Sequence, residues 1–230
     1  MVRFILSIMI TTMVSLVGLT SWSAIVVDGK IDDWVNVKSS VKDDQDMKDT
    51  SGDIKLIQAT VNGGNLYLRM SVYGIAAPSM EKTPAGMNNR YYYHWIIDAD
   101  NNLKTGFNNS SYEKKATNVK KPIGVEKVVM IGWKNGNPNG IEAYNALNDD
   151  EKFTKDYKYA ASGDTLEAEV PLKVLGLTEG GTVGFSAFQE GASDDWTVDW
   201  VESIDLKLVP TVAVDAKGKL STAWATLKMR

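Results

Sequence analysis

The sequence predicts an all-β protein, an antiparallel β-sandwich of about ten strands with one short helical turn. Short runs in which apolar and polar residues alternate recur along the 230 residues, and turns rich in Gly and Asn separate them. No stretch shows the longer apolar repeat of an amphipathic helix. The chain has no cysteine, so disulfides contribute nothing to its stability, and core burial together with a bound metal ion is the expectation.

The N-terminus, residues 1–23, predicts a secretory signal peptide. A basic residue, Arg3, precedes the apolar run at 4–20, and small residues then lead to a cleavage site after Ser23. The alternative is a single-pass anchor, because the run approaches the length that spans a bilayer. The signal peptide is our prediction, and it implies a periplasmic or extracellular protein with no transmembrane segment after processing.

The first half of the processed chain predicts strands joined by polar loops. The clearest element is a β-hairpin at 54–73, because alternating residues flank an Asn-Gly-Gly-Asn turn. In its second arm one face would carry the apolar residues, which are Leu66, Leu68, Met70 and Val72. The other predicted elements are a strand at 24–28, surface loops at 38–53 and 74–90, and an aromatic strand at 91–98.

The second half continues the alternation. Pro171 and Gly176 bracket a short apolar stretch, which predicts the helical turn. Strands are predicted at 124–133, 157–161, 165–170, 182–189, 196–200 and 204–209, with a turn at 135–140 and a last hairpin at 212–227. Many short strands at regular spacing are typical of a jelly-roll or immunoglobulin-like sandwich, here one domain at 24–230.

Five short motifs, in one order along the chain, carry a resemblance to a known group of domains. They are Val-Asp-Gly-Lys-Ile-Asp-Asp-Trp at 27–34, Asp-Ile-Lys at 53–55 with Asn-Leu-Tyr-Leu at 65–68, Ile-Asp-Ala-Asp-Asn-Asn at 97–102 with Thr105 and Gly106, Glu-Val-Pro-Leu at 169–172, and Leu-Gly-Leu at 175–177. With these motifs the chain resembles the family 9 carbohydrate-binding modules and the wider DOMON-like β-sandwiches. The resemblance implies an exported domain that binds a sugar, binds haem for electron transfer, or has no small ligand.

The loop that follows the aromatic strand predicts a calcium site. Asp98, Asp100 and Asn102 alternate, so that three side-chain oxygens can turn inward as a hard cation requires. The resemblance implies a structural calcium at this place, and we include Thr105 among the predicted ligands. Asp53, Glu113 or backbone carbonyls could complete the shell. The alternative is that these residues only form turns, as Asp and Asn commonly do.

The tryptophans and tyrosines predict a polysaccharide or oligosaccharide as the ligand. Sugars stack their C–H faces on aromatic rings, while carboxylates and amides bind the hydroxyls. Each ring has the alternative of a place in the core. The predicted sugar-binding residues are Trp196, Trp200, Trp95, Trp133, Tyr91, Asp195, Asp199 and Gln189.

Haem is the second functional hypothesis, and a structural envelope-associated domain without a small ligand is the third. DOMON-like cytochromes hold haem between a Met and a His or Lys, and the candidate residues here are His94, Met70, Met80, Met87 and Met130. No Cys-x-x-Cys-His motif for covalent attachment is present. A histidine in the middle of a strand is more often a hydrogen-bonded structural residue.

Charge and motif content argue against nucleic-acid binding and nucleophilic catalysis, while a carboxylate pair for glycoside hydrolysis stays open because its working separation is spatial. The net charge is −4 and the chain has no basic run, so we predict no nucleic-acid partner. There is no cysteine nucleophile and no Gly-x-Ser-x-Gly motif, and one histidine would have to serve every base role. We therefore predict a non-catalytic protein that is monomeric or associates weakly.

Overall fold

A computed structural model of the chain describes residues 24–76, 90–109, 119–134, 137–147, 157–191 and 199–210. Across these residues the protein is an antiparallel β-sandwich, which confirms the predicted fold class. The strands are β1 (Ser40–Lys42), β2 (Ile54–Asn62), β3 (Asn65–Val72), β4 (Arg90–Asp98), β5 (Phe107–Asn108), β6 (Gly124–Val125), β7 (Lys127–Lys134), β8 (Asn137–Asn145), β9 (Lys158–Ser162), β10 (Thr165–Pro171), β11 (Thr182–Glu190) and β12 (Asp199–Lys207).

The sandwich consists of two five-stranded sheets. The first sheet has the order β1-β2-β3-β10-β9, and the second has the order β12-β11-β4-β7-β8. Strands β5 and β6 form a separate two-stranded ladder. The predicted helical turn is a 3-10 turn at Leu172–Leu175, and Gly176 ends it in the left-handed conformation (φ 66°). The aromatic strand β4 therefore lies at the centre of the second sheet.

The core lies between the two sheets and follows the period-two alternation of the strands. In β3 the predicted apolar face is confirmed, since Leu66, Leu68, Met70 and Val72 are all 0% exposed. In β4 the inward residues are Tyr91, Tyr93, Trp95 and Ile97. Each fully buried large apolar side chain contributes about 1.5–3 kcal/mol to the free energy of unfolding, so these two strands supply much of the stability.

The first described stretch is not the predicted strand but an irregular segment on the outer face of the first sheet. The carboxylate of Glu167, a buried residue of β10, accepts the backbone N–H groups of Asp28 at 2.9 Å and Gly29 at 2.7 Å and the indole N–H of Trp34 at 2.5 Å. Gly29 has φ +79°, and a Cβ there would lie 2.8 Å from Ser162 Cβ. The motif at 27–34 thus makes a structural contact with β10 and does not pair as a strand.

The predicted surface loop at 38–53 is also partly wrong. Its beginning pairs with β2 as strand β1, and its end is buried against one end of the sandwich. Tyrosine hydroxyls bond it from below: Tyr91 donates to Asp49 Oδ2 at 2.9 Å, Tyr93 to the Ser51 carbonyl at 3.1 Å and Tyr73 to the Asp43 carbonyl at 2.7 Å. Local polarity predicted exposure, but these long-range bonds bring the loop onto the core.

Three other expectations were tested in part. The strands expected at 196–200 and 204–209 form one strand, β12, within the described residues, and β8 begins inside the turn expected at 135–140. Among the described residues no helix has the length and apolar character needed to cross a bilayer. The signal peptide at 1–23, the hairpin at 212–227 and most of the loop at 74–90 lie outside the described residues.

Candidate functional site

A row of side chains crosses all five strands on the outer face of the second sheet. The strand registers pair Trp200 with Phe188, Phe188 with His94, His94 with Met130, and Met130 with Glu142. Directly paired residues project from the same face of a sheet. The Phe188 ring stacks on His94 and on Trp200, with centroid distances of 4.0 Å and 4.4 Å. We call these five residues the outer row.

The outer row is buried at its centre and partly exposed at its β12 end. His94 is 3% exposed and Phe188 is 6% exposed, while Trp200, on the edge strand β12, is partly exposed. Tyr92 and Glu190 form the neighbouring cross-strand pair on the same face, and both are partly exposed. Aromatic surface and a carboxylate therefore lie close together at this edge of the sheet.

The outer face of the first sheet carries several polar pairs. Arg69 Nη1 donates to Gln58 Oε1 at 2.5 Å, and Asn65 Nδ2 donates to Glu169 Oε1 at 2.9 Å. Such polar residues are usual on the outer face of an antiparallel sheet. Both outer faces nevertheless carry a buried apolar cluster, which includes Trp34 and Tyr67 on the first sheet and Phe188, Met130, Ile123 and Val125 on the second.

His94 is a neutral, structural member of the outer row. Burial lowers its pKa to about 3, and its Nδ1 has no hydrogen-bond partner among the described residues. Met130 is its direct cross-strand neighbour, so the two side chains leave the sheet in parallel and do not form two opposed axial ligands. Met70 lies in the core, and Met80 and Met87 are outside the described residues. The haem hypothesis stays a prediction.

Three of the predicted sugar-binding rings lie in the core. Trp95 is 0% exposed, Tyr91 is 1% exposed and Trp133 is 8% exposed. The Trp95 indole N–H donates to the Arg69 carbonyl at 3.3 Å, a contact that holds the ring between the sheets. A ring that is covered on both faces cannot stack on a sugar at the surface, so we place these three residues in the core and not in a binding surface.

The predicted polar partners lie at one end of the sandwich. Gln189 and Asp199 are cross-strand partners, 1% and 4% exposed. Gln189 Nε2 donates to the main-chain carbonyl of Glu190 at 2.7 Å, and Asp199 Oδ2 accepts the backbone N–H of Ile54 at 2.5 Å. Burial raises the pKa of Asp199 to about 7. Trp200 remains as the predicted ring at the surface. Two further predicted residues, Trp196 and Asp195, lie outside the described residues.

The predicted calcium loop is organised by hydrogen bonds between side chains and backbone. Asp98 Oδ1 accepts the N–H of Asn102 at 3.0 Å, and Oδ2 accepts the N–H of Gly124 at 3.0 Å. The Thr105 hydroxyl lies 2.9 Å and 3.1 Å from the two Asp100 carboxylate oxygens. Asn102 Oδ1 accepts the backbone N–H two residues later at 3.1 Å. The contacts of Asn102 and Thr105 are those of turn formers.

Glu126 joins this loop and was missed in the sequence. Carboxylate oxygens of Asp98, Asp100 and Glu126 lie within 4.8 Å of one another. Glu126 Oε2 accepts the N–H of Ala99 at 2.7 Å, while Oε1 is buried without a partner in the described part of the chain. Such a donor set suits a hard cation. The available signal was a charged residue that interrupts the apolar run between β6 and β7.

Comparisons with known proteins identify no family for this chain. A scan of protein-family models found no match, and a search of curated proteins also found none. The resemblance based on the five motifs therefore stays a prediction, and the geometry of the described residues has to carry the functional argument.

Proposed function

We propose that the protein is an exported, non-catalytic domain that binds a polysaccharide or oligosaccharide at the β12 end of the outer row. The observation that carries this proposal is the Trp200 ring, which is partly exposed on the edge strand β12 and stacks on the buried Phe188. Trp200 stands at the edge of the sheet, and its partly exposed ring is large enough to stack on a sugar.

The neighbouring residues provide the polar contacts that such a site requires. Glu190 belongs to the next cross-strand pair on the same face, and its carboxylate can accept hydrogen bonds from sugar hydroxyls. Tyr92, its partner, adds a second ring and a hydroxyl. The Phe188 ring stacks on Trp200, and the His94 ring stacks on Phe188. These contacts hold the Trp200 ring in one orientation before a ligand binds.

Trp200→Ala tests this proposal in a glycan screen followed by tryptophan-fluorescence or calorimetric titration of the sugar that binds best. We expect the affinity to fall about tenfold or more, because the stacking surface is removed. Tyr159→Ala is the matched control, since it truncates a partly buried ring on β9, the edge strand of the other sheet. The control should bind as the wild type does.

A flat screen of plant, algal and bacterial glycans with folded protein contradicts the sugar proposal, as does full affinity in Trp200→Ala. The same preparation tests the haem alternative, because a haem protein shows a Soret band. A colourless protein with a flat screen leaves the third hypothesis, a structural domain without a small ligand.

We also propose that Asp98, Asp100 and Glu126 hold a structural calcium ion. The fit rests on Glu126 Oε1, which is buried beside two further carboxylates and has no hydrogen-bond partner among the described residues. A bound ion would join the loop after β4 to the β6–β7 junction, and binding only to the folded state would raise the melting temperature. EDTA should lower the melting temperature of Glu126→Gln less than that of the wild type. Asp32→Asn, at a distant exposed acid, should respond to EDTA as the wild type does. An unchanged EDTA response in Glu126→Gln contradicts this site.

A further inference from the structure

We propose a second cation site, formed by Asp46, Asp53 and Asp199 at the end of the sandwich opposite the Asp98 loop. Asp46 and Asp53 belong to the loop before β2, and Asp199 is the first residue of β12. A carboxylate oxygen from each of the three lies within 4.8 Å of the other two. A bound ion would therefore join segments that are far apart in the sequence.

A buried carboxylate oxygen of Asp53 has no hydrogen-bond partner in the described part of the chain, which points to a ligand. Asp53 is 0% exposed and turns its carboxylate into the cluster. Its Oδ2 accepts the N–H of Met47 at 3.3 Å, but Oδ1 is buried and makes no hydrogen bond to any described residue. Buried carboxylate oxygens are nearly always hydrogen-bonded or bound to a metal. A cation between the three carboxylates would satisfy this one.

The three carboxylates also lack a basic partner in the described part of the chain. Within the described ranges no Lys or Arg forms an ion pair with Asp46, Asp53 or Asp199. Four ion pairs occur elsewhere in those ranges. Buried carboxylates that face one another repel, and burial without a counter-charge is costly. Either a shared proton or a cation must relieve this repulsion. The orphan oxygen of Asp53 favours a cation, because an ion can be bound by several oxygens at once.

Hydrogen bonds fix the positions of the site's side chains without a ligand. Asp199 is fixed by the N–H of Ile54, and the loop that carries Asp46 is bonded from the core by the hydroxyls of Tyr91 and Tyr93. A site whose ligands are held in place loses little conformational entropy on binding. The exposed position of Asp46 leaves one side open for the ion and its waters.

The chemistry of the donors indicates the class of ion. Three carboxylates are hard oxygen ligands with no nitrogen or sulfur among them, which favours Ca²⁺, and then Mg²⁺ or Mn²⁺, over Zn²⁺ or Cu²⁺. Water can supply the remaining positions of a Ca²⁺ shell at the exposed side.

The test titrates Ca²⁺, Mg²⁺ and Mn²⁺ into the metal-free full chain by calorimetry, in a Glu126→Gln background that disables the Asp98 loop. We expect one Ca²⁺ per chain in this background and none after Asp53→Asn and Asp199→Asn are added. Asp44→Asn, an exposed acid of the same loop, is the matched control and should leave binding unchanged. Asp46→Asn should weaken binding about tenfold or more, since the charge of the ligands sets the affinity.

Melting temperatures measured with and without Ca²⁺ show whether a variant that binds no ion is still folded. Without Ca²⁺, Asp199→Asn should melt no lower than the parent, because it removes repulsion. With Ca²⁺, the parent should melt higher and the variant should not respond. The proposal is overturned if the folded Glu126→Gln protein binds none of the three ions, or if the added Asn substitutions leave the number of bound ions unchanged.

Discussion

Carboxylates gather at both ends of the second sheet, but their hydrogen bonding differs. At the Asp98 end both oxygens of Asp98 accept backbone N–H groups, from Asn102 and Gly124. At the other end one oxygen of the fully buried Asp53 has no partner among the described residues. A carboxylate whose oxygens are both bonded stabilises a turn without an ion, whereas Asp53, like Glu126 at the Asp98 end, has an oxygen that a ligand or a proton would satisfy. Similar residues therefore differ in what they require.

The largest effect that sharpens this comparison is expected for Asp98→Ala. The substitution leaves the N–H groups of Asn102 and Gly124 without their acceptor, and each unsatisfied group costs about 1–3 kcal/mol. We expect the free energy of unfolding, measured in urea, to fall by about 3 kcal/mol in EDTA, and by more in Ca²⁺ because a ligand of the proposed ion is removed as well. Asp100→Ala, at an exposed position, should cost less than about 1 kcal/mol in EDTA. A loss seen only in Ca²⁺ would mean that Asp98 acts as a ligand and not as a turn former.

The next effect concerns His94, a buried titratable group between the two ends. Its pKa is lowered to about 3 in the folded protein, against about 6.5 in the unfolded chain. As the pH falls below about 6.5 the unfolded state takes up the proton first, so stability is lost progressively toward pH 3. We expect His94→Phe to remove about 2 kcal/mol of the stability lost between pH 7 and pH 4.5.

The buried acids of the Asp199 end change the stability in the opposite direction as the pH falls. Burial raises the pKa of Asp199 to about 7, so its repulsion is relieved as the pH falls. The difference between wild type and His94→Phe isolates the histidine, because the acids are common to both proteins. Parallel pH profiles of the two proteins in urea denaturation would show that His94 is not buried as a neutral ring.

The smallest effect is expected for Thr105→Val. The Thr105 hydroxyl bonds Asp100 and the Asn102 carbonyl in an exposed turn, so its loss should cost about 0.5 kcal/mol. Calcium affinity, measured by calorimetry in the presence of intact Glu126, should not change. A tenfold loss of calcium affinity would show that Thr105 is a ligand, as the sequence predicts.

The strands were predictable because period two is a local property. The hairpin of β2 and β3 and the alternation in β4 follow from neighbouring residues and one Gly-rich turn. The position of the metal-binding candidates Asp98 and Asp100 after a strand was predictable for the same reason. Glu126 was not, since its place beside them depends on the pairing of β4 with β7.

The candidate site was harder to predict than the strands. Alternation shows that Trp95 and His94 face opposite ways, but it does not say which face is the core. That choice depends on which sheet covers β4, and the first sheet covers Trp95. Trp200 was a candidate from the sequence, but only the strand order places it beside Phe188 on the edge strand β12.

The sequence by itself determined the strand pattern, the turns and the types of ligand atoms available, because these depend on residues within a few positions of one another. The tertiary structure decided which carboxylates meet. Asp53 and Asp199 approach only because β2 and β12 begin at the same end of the sandwich, where the backbone of Ile54 bonds Asp199. Contacts over such distances follow from strand order and packing, and strand order is a property of the whole fold.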